Sequence, residues 1–409
     1  MSDILGLPPR RAALKLLDAV LRRGETLDGA SHAATQGLRG PDKGLAKALA
    51  GEALRWLVDL DALIDSATRS PLPDDAKARA VLRLMLAGWL RLETPPHAAI
   101  ATGLPLLVGG PRRLAHGVFS TLAKRSAKLP AAPSLPPPVA ARWGERAMAI
   151  AGGLVVPPPL DLTLRDSAQT AQWAETLGGT ALAPGHLRLA RGTAVEDLPG
   201  FAEGAWWVQD LAASLPALLL GPGEGRRVLD LCAAPGGKTM QLAAAGWAVT
   251  ALDASGRRAE RLKANLARTQ LSAEVIIADA LEWEPEAPFD AVLLDAPCTA
   301  TGTCRRHPDV LHRIGTRQIA EMAELQAALL ERAARWVRPG GRLIYAVCSL
   351  EAAEGEMQVA RIGLPADPIM ATELPVGLAP TPEGWLRTDP AMLAEQGGLD
   401  GFFIARWQA

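Results

Sequence analysis

Apolar residues recur at helical spacing through residues 10–128. In RAALKLLDAVLRRG, Leu14, Leu17, Val20 and Leu21 make one apolar stripe. Gly24 can end it, because glycine tolerates the left-handed backbone of a helix stop. DKGLAKALAGEALRWLVDLDALIDSAT and AKARAVLRLMLAGWLRLE repeat the pattern. Pro95 and Pro96 interrupt it, and HAAIATGLPLLVG and RLAHGVFSTLAKR resume it. The stretch predicts an all-α domain. The proline-rich LPAAPSLPPPV, residues 129–139, reads as a linker. A short helix over ARWGERAMAIAGG follows, then an extended stretch with strand-like patches from PPPLDLTLRD to residue 209.

From residue 225 the pattern changes to short apolar runs alternating with helical ones. RRVLDL, AVTALD, EVIIAD, FDAVLLDAP and RLIYAVCS predict strands; KTMQLAAAG, RRAERLKANLART and EMAELQAALLERAARWVRPG predict the helices between them. Such alternation means a parallel sheet covered by helices on both faces. No internal repeat of solenoid length is present.

The 409 residues suffice for two or three domains, and 49% hydrophobic with 21% charged residues suits a globular enzyme. Net charge is −1, but it is unevenly spread. Residues 1–130 hold 19 Lys+Arg against 12 Asp+Glu; the remainder holds 24 against 32. A basic first domain suits a polyanionic partner, although a solvated helical surface would look the same. No apolar run predicts a membrane span, and MSDILGLPPR lacks the pattern of a signal peptide, so a cytoplasmic protein is expected. Cys232, Cys298, Cys304 and Cys348 form no CxxC pairs, so reduced thiols and no metal site are expected.

VLDLCAAPGGKT carries the strongest local signal. A strand ends in Asp230, a loop of small residues follows through Cys232, Ala233, Ala234, Pro235, Gly236 and Gly237, and a helix begins near Lys238. Glycine lets a ligand approach the backbone, and the helix start offers free N–H groups. The segment is neither GxGxxG nor a phosphate loop, since Cys232 stands where the latter needs its first glycine. Asp253 ends the next strand and could bind both hydroxyls of a ribose. Asp279 ends the third, where it could accept from an adenine amino group. Such acids could equally cap the helices that follow them.

Asp295, Pro297 and Cys298 come at the end of the fourth strand, and Cys348 at the end of the fifth. Neighbouring strand ends would bring two thiols to one pocket. That pairing suits methylation of cytosine carbon 5, a weak nucleophile. A thiolate adding to carbon 6 makes carbon 5 enamine-like, Asp295 can assist at the base N3, and a base then removes the carbon 5 proton. Either cysteine could attack on chemical grounds alone. Arg305 and Arg306, in RRHPD, suit phosphate contacts.

VLDLCAAPGGKT, LLDAPCTATGTCRRHPDV and LIYAVCSLEAAEGEMQV together resemble the Nop/Sun family of RNA cytosine-5 methyltransferases. The resemblance is closest to its bacterial type acting on small-subunit ribosomal RNA. It implies Cys348 as nucleophile and Cys298 in breakdown of the adduct. It also implies S-adenosylmethionine contacts at Cys232 through Lys238, Asp253, Asp279 and Asp295. LRLETPPHAAIATGLPLL and the helices before it resemble a NusB-like RNA-binding domain, and GGLDGFFIARWQA the family's last β-hairpin. Asp166 and Ser167 depart from the usual LRVN, and GVFSTLAKR lacks the usual Asn.

The expectation is an α/β chain: an all-α NusB-like domain over 1–130, a linker and intermediate RNA-binding region over 131–210, and a Rossmann-like methyltransferase domain over 211–409. Its sheet should be seven-stranded and mostly parallel, with an antiparallel strand near 401–407 at or beside an edge. The enzyme is expected to be a monomer acting on RNA, ribosomal in the first instance. Alternatives are a transfer RNA or DNA cytosine-5 methyltransferase, a nucleotide hydrolase using GGKT, and a non-catalytic NusB-like RNA-binding factor.

Overall fold

The computed structural model describes residues 5–192 and 194–409. It divides into two compact units. One runs to Val156 and takes in Cys304–Ile314; the other comprises Pro157–Thr303 and Gly315–Ala409.

The first unit is helical: α1 (Leu7–Arg23), α2 (Leu27–Ala34), α3 (Gly40–Arg55), α4 (Leu57–Ser66), α5 (Lys77–Arg91), α6 (Pro96–Gly103), α7 (Gly109–Lys124), α8 (Pro137–Trp143) and α9 (Ala147–Gly152). Leu17 and Val20 of the expected stripe are buried with Leu54, Leu82, Phe119 and Leu122, while Leu14 and Leu21 flank that core. Gly24 ends α1 at φ 68°. The run read as one helix over residues 42–68 breaks at buried Trp56, where φ is −105° and ψ 20°. The short helix expected over residues 141–153 is split at Gly144, whose φ of 55° a helix cannot accommodate. The proline-rich segment is pinned to this unit, since Ser134 donates through N (2.8 Å) and Oγ (2.7 Å) to the buried Asp59 carboxylate.

The second unit opens with β1 (Leu160–Leu164), α10 (Thr170–Leu177), β2 (Thr180–Ala183), β3 (His186–Leu189) and β4 (Trp206–Val208), an antiparallel sheet of order β2-β3-β1-β4. Asp161 on β1 is its buried anchor. It takes two 2.7 Å bonds from Arg188 on β3 and another from the Leu211 N–H at 3.2 Å.

The larger part follows as α11 (Leu211–Leu218), β5 (Arg227–Leu231), α12 (Gly237–Ala244), β6 (Ala248–Asp253), α13 (Gly256–Thr269), β7 (Glu274–Ile277), β8 (Phe289–Asp295), α14 (Thr316–Arg335), β9 (Val337–Val347), β10 (Leu386–Thr388) and β11 (Phe402–Gln408). The sheet is seven-stranded, of order β10-β11-β9-β8-β5-β6-β7. The five strands from β9 to β7 run parallel, and β11 is antiparallel beside the edge strand β10, as expected. Successive strand residues point to opposite faces. Val228, Leu293 and Ile344 therefore pack on one side with α11, and Leu229, Leu294 and Tyr345 on the other with Leu329 and Leu330 of α14. The helix expected to reach residue 340 stops at Arg335, and β9 begins at Val337, because Val337 pairs with Phe289 of β8. No helix among the described residues is long and apolar enough to cross a membrane.

Burial alone would raise the Asp161 carboxyl, but the two hydrogen bonds from Arg188, with His186 Nε2 also near at 3.4 Å, outweigh it and hold the group well below the usual carboxylate range. Its stabilising contribution is therefore present above about pH 4 and fades as pH falls through the lowered folded value. Asp161→Ala should cost about 3–5 kcal/mol at neutral pH by stranding Arg188. Chemical denaturation at neutral and acid pH checks both points, the deficit being expected to shrink on the acid side.

Candidate active site

In the large sheet β5 lies between β6 and β8, so chain order reverses there. Open α/β sheets bind ligands outside the strand carboxyl ends at such a switch. Three acids stand at these tips: Asp230 one residue before the end of β5, Asp253 closing β6 and Asp295 closing β8. Cys232 leaves β5 at φ 60° and Gly236 turns into α12 at φ 103°. A Cβ at Gly236 would lie 3.0 Å from Leu262 Cγ, so the loop is compact as well as left-handed. No side chain caps α12, which leaves N–H groups of its first turn for a polar ligand.

The acids have different environments. Asp230 Oδ2 accepts from Thr239 Oγ1 at 2.6 Å, while its other oxygen is buried without a partner. Burial pushes its carboxyl up to about 7. Asp253 is also buried but partnered, accepting from the N–H groups of Ala234 (3.1 Å) and Ser255 (2.8 Å) and from Arg258 (2.9 Å), which leaves part of its acceptor capacity open. Asp295 accepts from Lys238 Nζ at 2.7 Å, and that ammonium lies 5.3 Å over the Phe402 ring. Asp279 is placed otherwise than expected. The third strand, β7, stops at Ile277; Asp279 is exposed and accepts from the Leu281 N–H at 2.9 Å, capping the turn that follows.

Two cysteines meet at the neighbouring strand ends. Asp295 of β8 is in register with Ala346 of β9, and the Ala296 N–H donates to the Ala346 carbonyl at 2.9 Å. Cys298 and Cys348 follow, both half-buried, with their Sγ atoms 3.3 Å apart. Hydrogen bonding to Cys348, then burial, pushes the Cys298 thiol well above its ordinary value. Cys232 is pushed up to about 12 by burial and the charges of Asp295 and Asp253. It therefore stays a neutral thiol in the loop.

Cys304 falls in the helical unit, where it is buried. So does Arg305, which is 1% exposed and whose carbonyl accepts from Arg55 at 2.6 Å. That burial corrects the expectation of Arg305 as a phosphate contact. Asp309 of the same segment accepts from the Leu27 N–H at the start of α2, at 3.3 Å. The residues that hold the two cysteine loops, Thr299, Gln326, Ser349 and Glu354, were not singled out from the sequence. Nothing in their spacing distinguishes them, although two directly follow the cysteines.

Residues 217–408 match the family model described as 16S rRNA methyltransferase RsmB/F, and residues 7–106 match that of the NusB family. Ribosomal RNA small subunit methyltransferase B of Xylella fastidiosa is 35% identical over 99% of this chain and 98% of its own length. The chain belongs to the ribosomal RNA small subunit methyltransferase B family. Among solved structures, the protein designated PH0851 superposes over 100% of this chain and 99% of its own, with TM-score 0.72 and 23% identity. A methyltransferase homolog from Pyrococcus horikoshii covers 66% of this chain and 94% of its own, with TM-score 0.55 and 26% identity.

Membership of this methyltransferase family sets aside the nucleotide hydrolase and the non-catalytic factor. Geometry agrees on the first point: Lys238 is committed to Asp295 and Thr239 to Asp230, so neither end of GGKT is available to a phosphate. No group of three or more His, Cys, Asp or Glu suited to a metal ion occurs among the described residues.

The raised Asp230 carboxyl has a consequence for stability. The unfolded chain releases this proton near pH ~4, and the folded protein keeps it up to about 7. Its contribution is complete below that lower value and is lost as pH rises through the upper one. Asp230→Asn keeps an acceptor for Thr239 and should flatten the decline between about pH 4 and 7. Melting temperature against pH, parent beside variant, measures this; identical profiles would show that Asp230 does not titrate in that window.

Proposed function

We propose that this protein uses S-adenosylmethionine to methylate carbon 5 of a cytosine in small-subunit ribosomal RNA, through a covalent bond from Cys348 to carbon 6. The observation that carries this reading is the 3.3 Å approach of Cys298 and Cys348 at the strand edge that bears the acids and the glycine loop. A single nucleophile would need one thiol. Two thiols in contact suit a reaction in which one adds to the base and the other serves its release.

The residues fit the donor. A cradle with no side chain at Gly236 and Gly237, an uncapped helix start and the Asp253 carboxylate suit an amino acid joined to a ribose. In this reading Cys232 through Lys238 and Asp295 would hold the donor, with Asp253 suited to its ribose and Asp279 to its adenine. S-adenosylmethionine supplies an electrophilic methyl group carried on a sulfonium sulfur.

The protein's own groups make the base able to accept it. Cys348 sulfur bonds to carbon 6 and the electron pair of the 5,6 double bond moves toward carbon 5. Asp295, which accepts from Lys238 Nζ at 2.7 Å, assists at the base N3 by carrying a proton when the base is bound and donating it there as the electron pair moves. After methylation a base removes the carbon 5 proton, which restores the double bond and expels the Cys348 sulfur, and Cys298 assists that release. Reaching this pocket requires the cytosine to leave its stack.

The helical unit is the natural holder of the RNA around the target, given the basic balance of residues 1–130. We also retain, as a functional division, a NusB-like part over 1–130, an intermediate RNA-binding part over 131–210 and a catalytic part over 211–409.

Cys348→Ala should abolish transfer of labelled methyl groups, and Cys298→Ala should accumulate a protein–RNA adduct that survives denaturing electrophoresis. An active Cys348→Ala together with a Cys298→Ala that never traps RNA would reverse the assignment. Labelled donor offered with purified small-subunit ribosomal RNA or with transfer RNA separates the two substrate readings. The label is expected in the ribosomal RNA at carbon 5 of cytosine, and label confined to transfer RNA would sink the ribosomal assignment.

A further inference from the structure

The two cysteines lie on separate loops, and one buried carboxylate holds those loops together. Glu354 is 0% exposed. Its Oε1 accepts from Thr299 Oγ1 and, at 3.0 Å, from Ser349 Oγ. Its Oε2 accepts from the Thr299 N–H at 2.9 Å and from Gln326 Nε2 at 2.9 Å. Thr299 directly follows Cys298, and Ser349 directly follows Cys348. Gln326, on α14 and also 0% exposed, donates to the Pro297 carbonyl at 2.8 Å as well, so the Cys298 loop is gripped on both sides of the sulfur-bearing residue.

This arrangement is unusual in its charge. A carboxylate presents about four acceptor sites, and the four donors that meet this one are all neutral. No Lys, Arg or His lies within salt-bridge distance of Glu354 among the described residues. A buried charge with only neutral partners is costly to keep unless its geometry is complete. A stability role alone would be met by apolar side chains at the same place. What this network supplies instead is direction. It fixes two backbone segments one residue away from two reacting sulfurs. Further bonds reinforce the same junction: the Gly302 N–H donates to the Cys348 carbonyl at 3.0 Å, and the Leu350 N–H to Thr301 Oγ1 at 3.0 Å. Tyr345 of β9 donates to the Glu354 carbonyl at 2.6 Å, which anchors the clamp to the sheet.

We propose that Glu354 is the positioning residue of the two-cysteine site, clamping the Cys298 and Cys348 loops so that one sulfur can serve release of the adduct formed by the other. The inference rests on the reading in which Cys348 attacks and Cys298 assists release. The negative charge of Glu354 also helps keep the Cys298 proton in place, in keeping with the direction of its shift.

Glu354→Gln is nearly isosteric but replaces one acceptor oxygen by an amide that can only donate. It therefore sets donor against donor at one end of the clamp. Thr299→Val removes the hydroxyl contact alone and leaves the Thr299 backbone bond, giving a milder variant if the first fails to fold. Two readouts on the full-length enzyme test the proposal. The first needs neither RNA nor methyl donor. Diamide oxidises two adjacent thiols to a disulfide, taking up both protons and both electrons as it becomes the hydrazine. The Cys298–Cys348 bridge is then quantified by peptide mass mapping. The second is turnover on small-subunit ribosomal RNA, with adduct measured on denaturing gels.

Bridging should slow about tenfold in Glu354→Gln, and kcat should fall by up to about 100-fold with KM little changed, as expected for a misplacement near 1 Å. The adduct should persist, as in Cys298→Ala, because formation is spared more than release. Thr299→Val should move in the same direction by less. Folded variants whose bridging rate and kcat match the parent would overturn the proposal. If the parent never forms an adduct while both variants still slow bridging, the cytosine reading falls and the clamp stands.

Discussion

The hydrogen-bonded pairing of β8 with β9 is the constraint on which the site depends. Parallel neighbours deliver their carboxyl ends to one edge, and the register of Asp295 with Ala346 sets how far each following loop must travel. A slip of one residue would displace the Cys348 loop along the strand and turn Ile344 and Tyr345 to the wrong faces. The two-sided core opposes such a slip, since Ile344 and Tyr345 belong to hydrophobic clusters on opposite sides of the sheet. Packing of the sheet therefore fixes the position of chemistry that lies beyond its end.

At the same edge, the three acids at neighbouring strand tips are handled in three ways. Asp295 is balanced by the Lys238 ammonium, Asp253 by Arg258 and two backbone N–H groups, and Asp230 by a single hydroxyl. Ionising all three without partners in a buried crevice would be prohibitive. The one with least support is pushed up to about 7 by burial. Cys232, half-buried beside two of these acids, is pushed up to about 12 by burial and the charges of Asp295 and Asp253. Family membership by sequence and the shared fold of the solved structures agree on an S-adenosylmethionine-dependent methyltransferase.

Much of this arrangement was legible in the residues. The alternation of strand and helix after residue 225 and the stop at Gly24 follow from periodicity and glycine chemistry, and the antiparallel strand at 402–408 from the family resemblance of GGLDGFFIARWQA. Other readings were displaced by tertiary contacts. Trp56 is apolar and continues the helical stripe, yet the helix breaks at it, where it is buried. Val337 carries the end of a helical pattern, yet it pairs with Phe289 and begins a strand. The proline-rich segment has the composition of a free linker, but Ser134 is tied to Asp59. Arg305 has the chemistry of a phosphate contact, but the segment from Cys304 to Ile314 folds into the helical unit and buries it.

By itself the sequence determined the class of the fold, the family, the glycine loop and the two cysteines, because each is encoded locally in periodicity or in a contiguous motif. Only the tertiary structure decided which groups become partners. Glu354 lies five residues from Ser349 but 55 from Thr299, and Lys238 lies 57 from Asp295. Such contacts depend on strand order and on which face each side chain takes, and neither is written in the spacing along the chain. The same physical reason gives Asp279 a turn-capping bond: its strand ends two residues early, so the chain bends before the acid is reached.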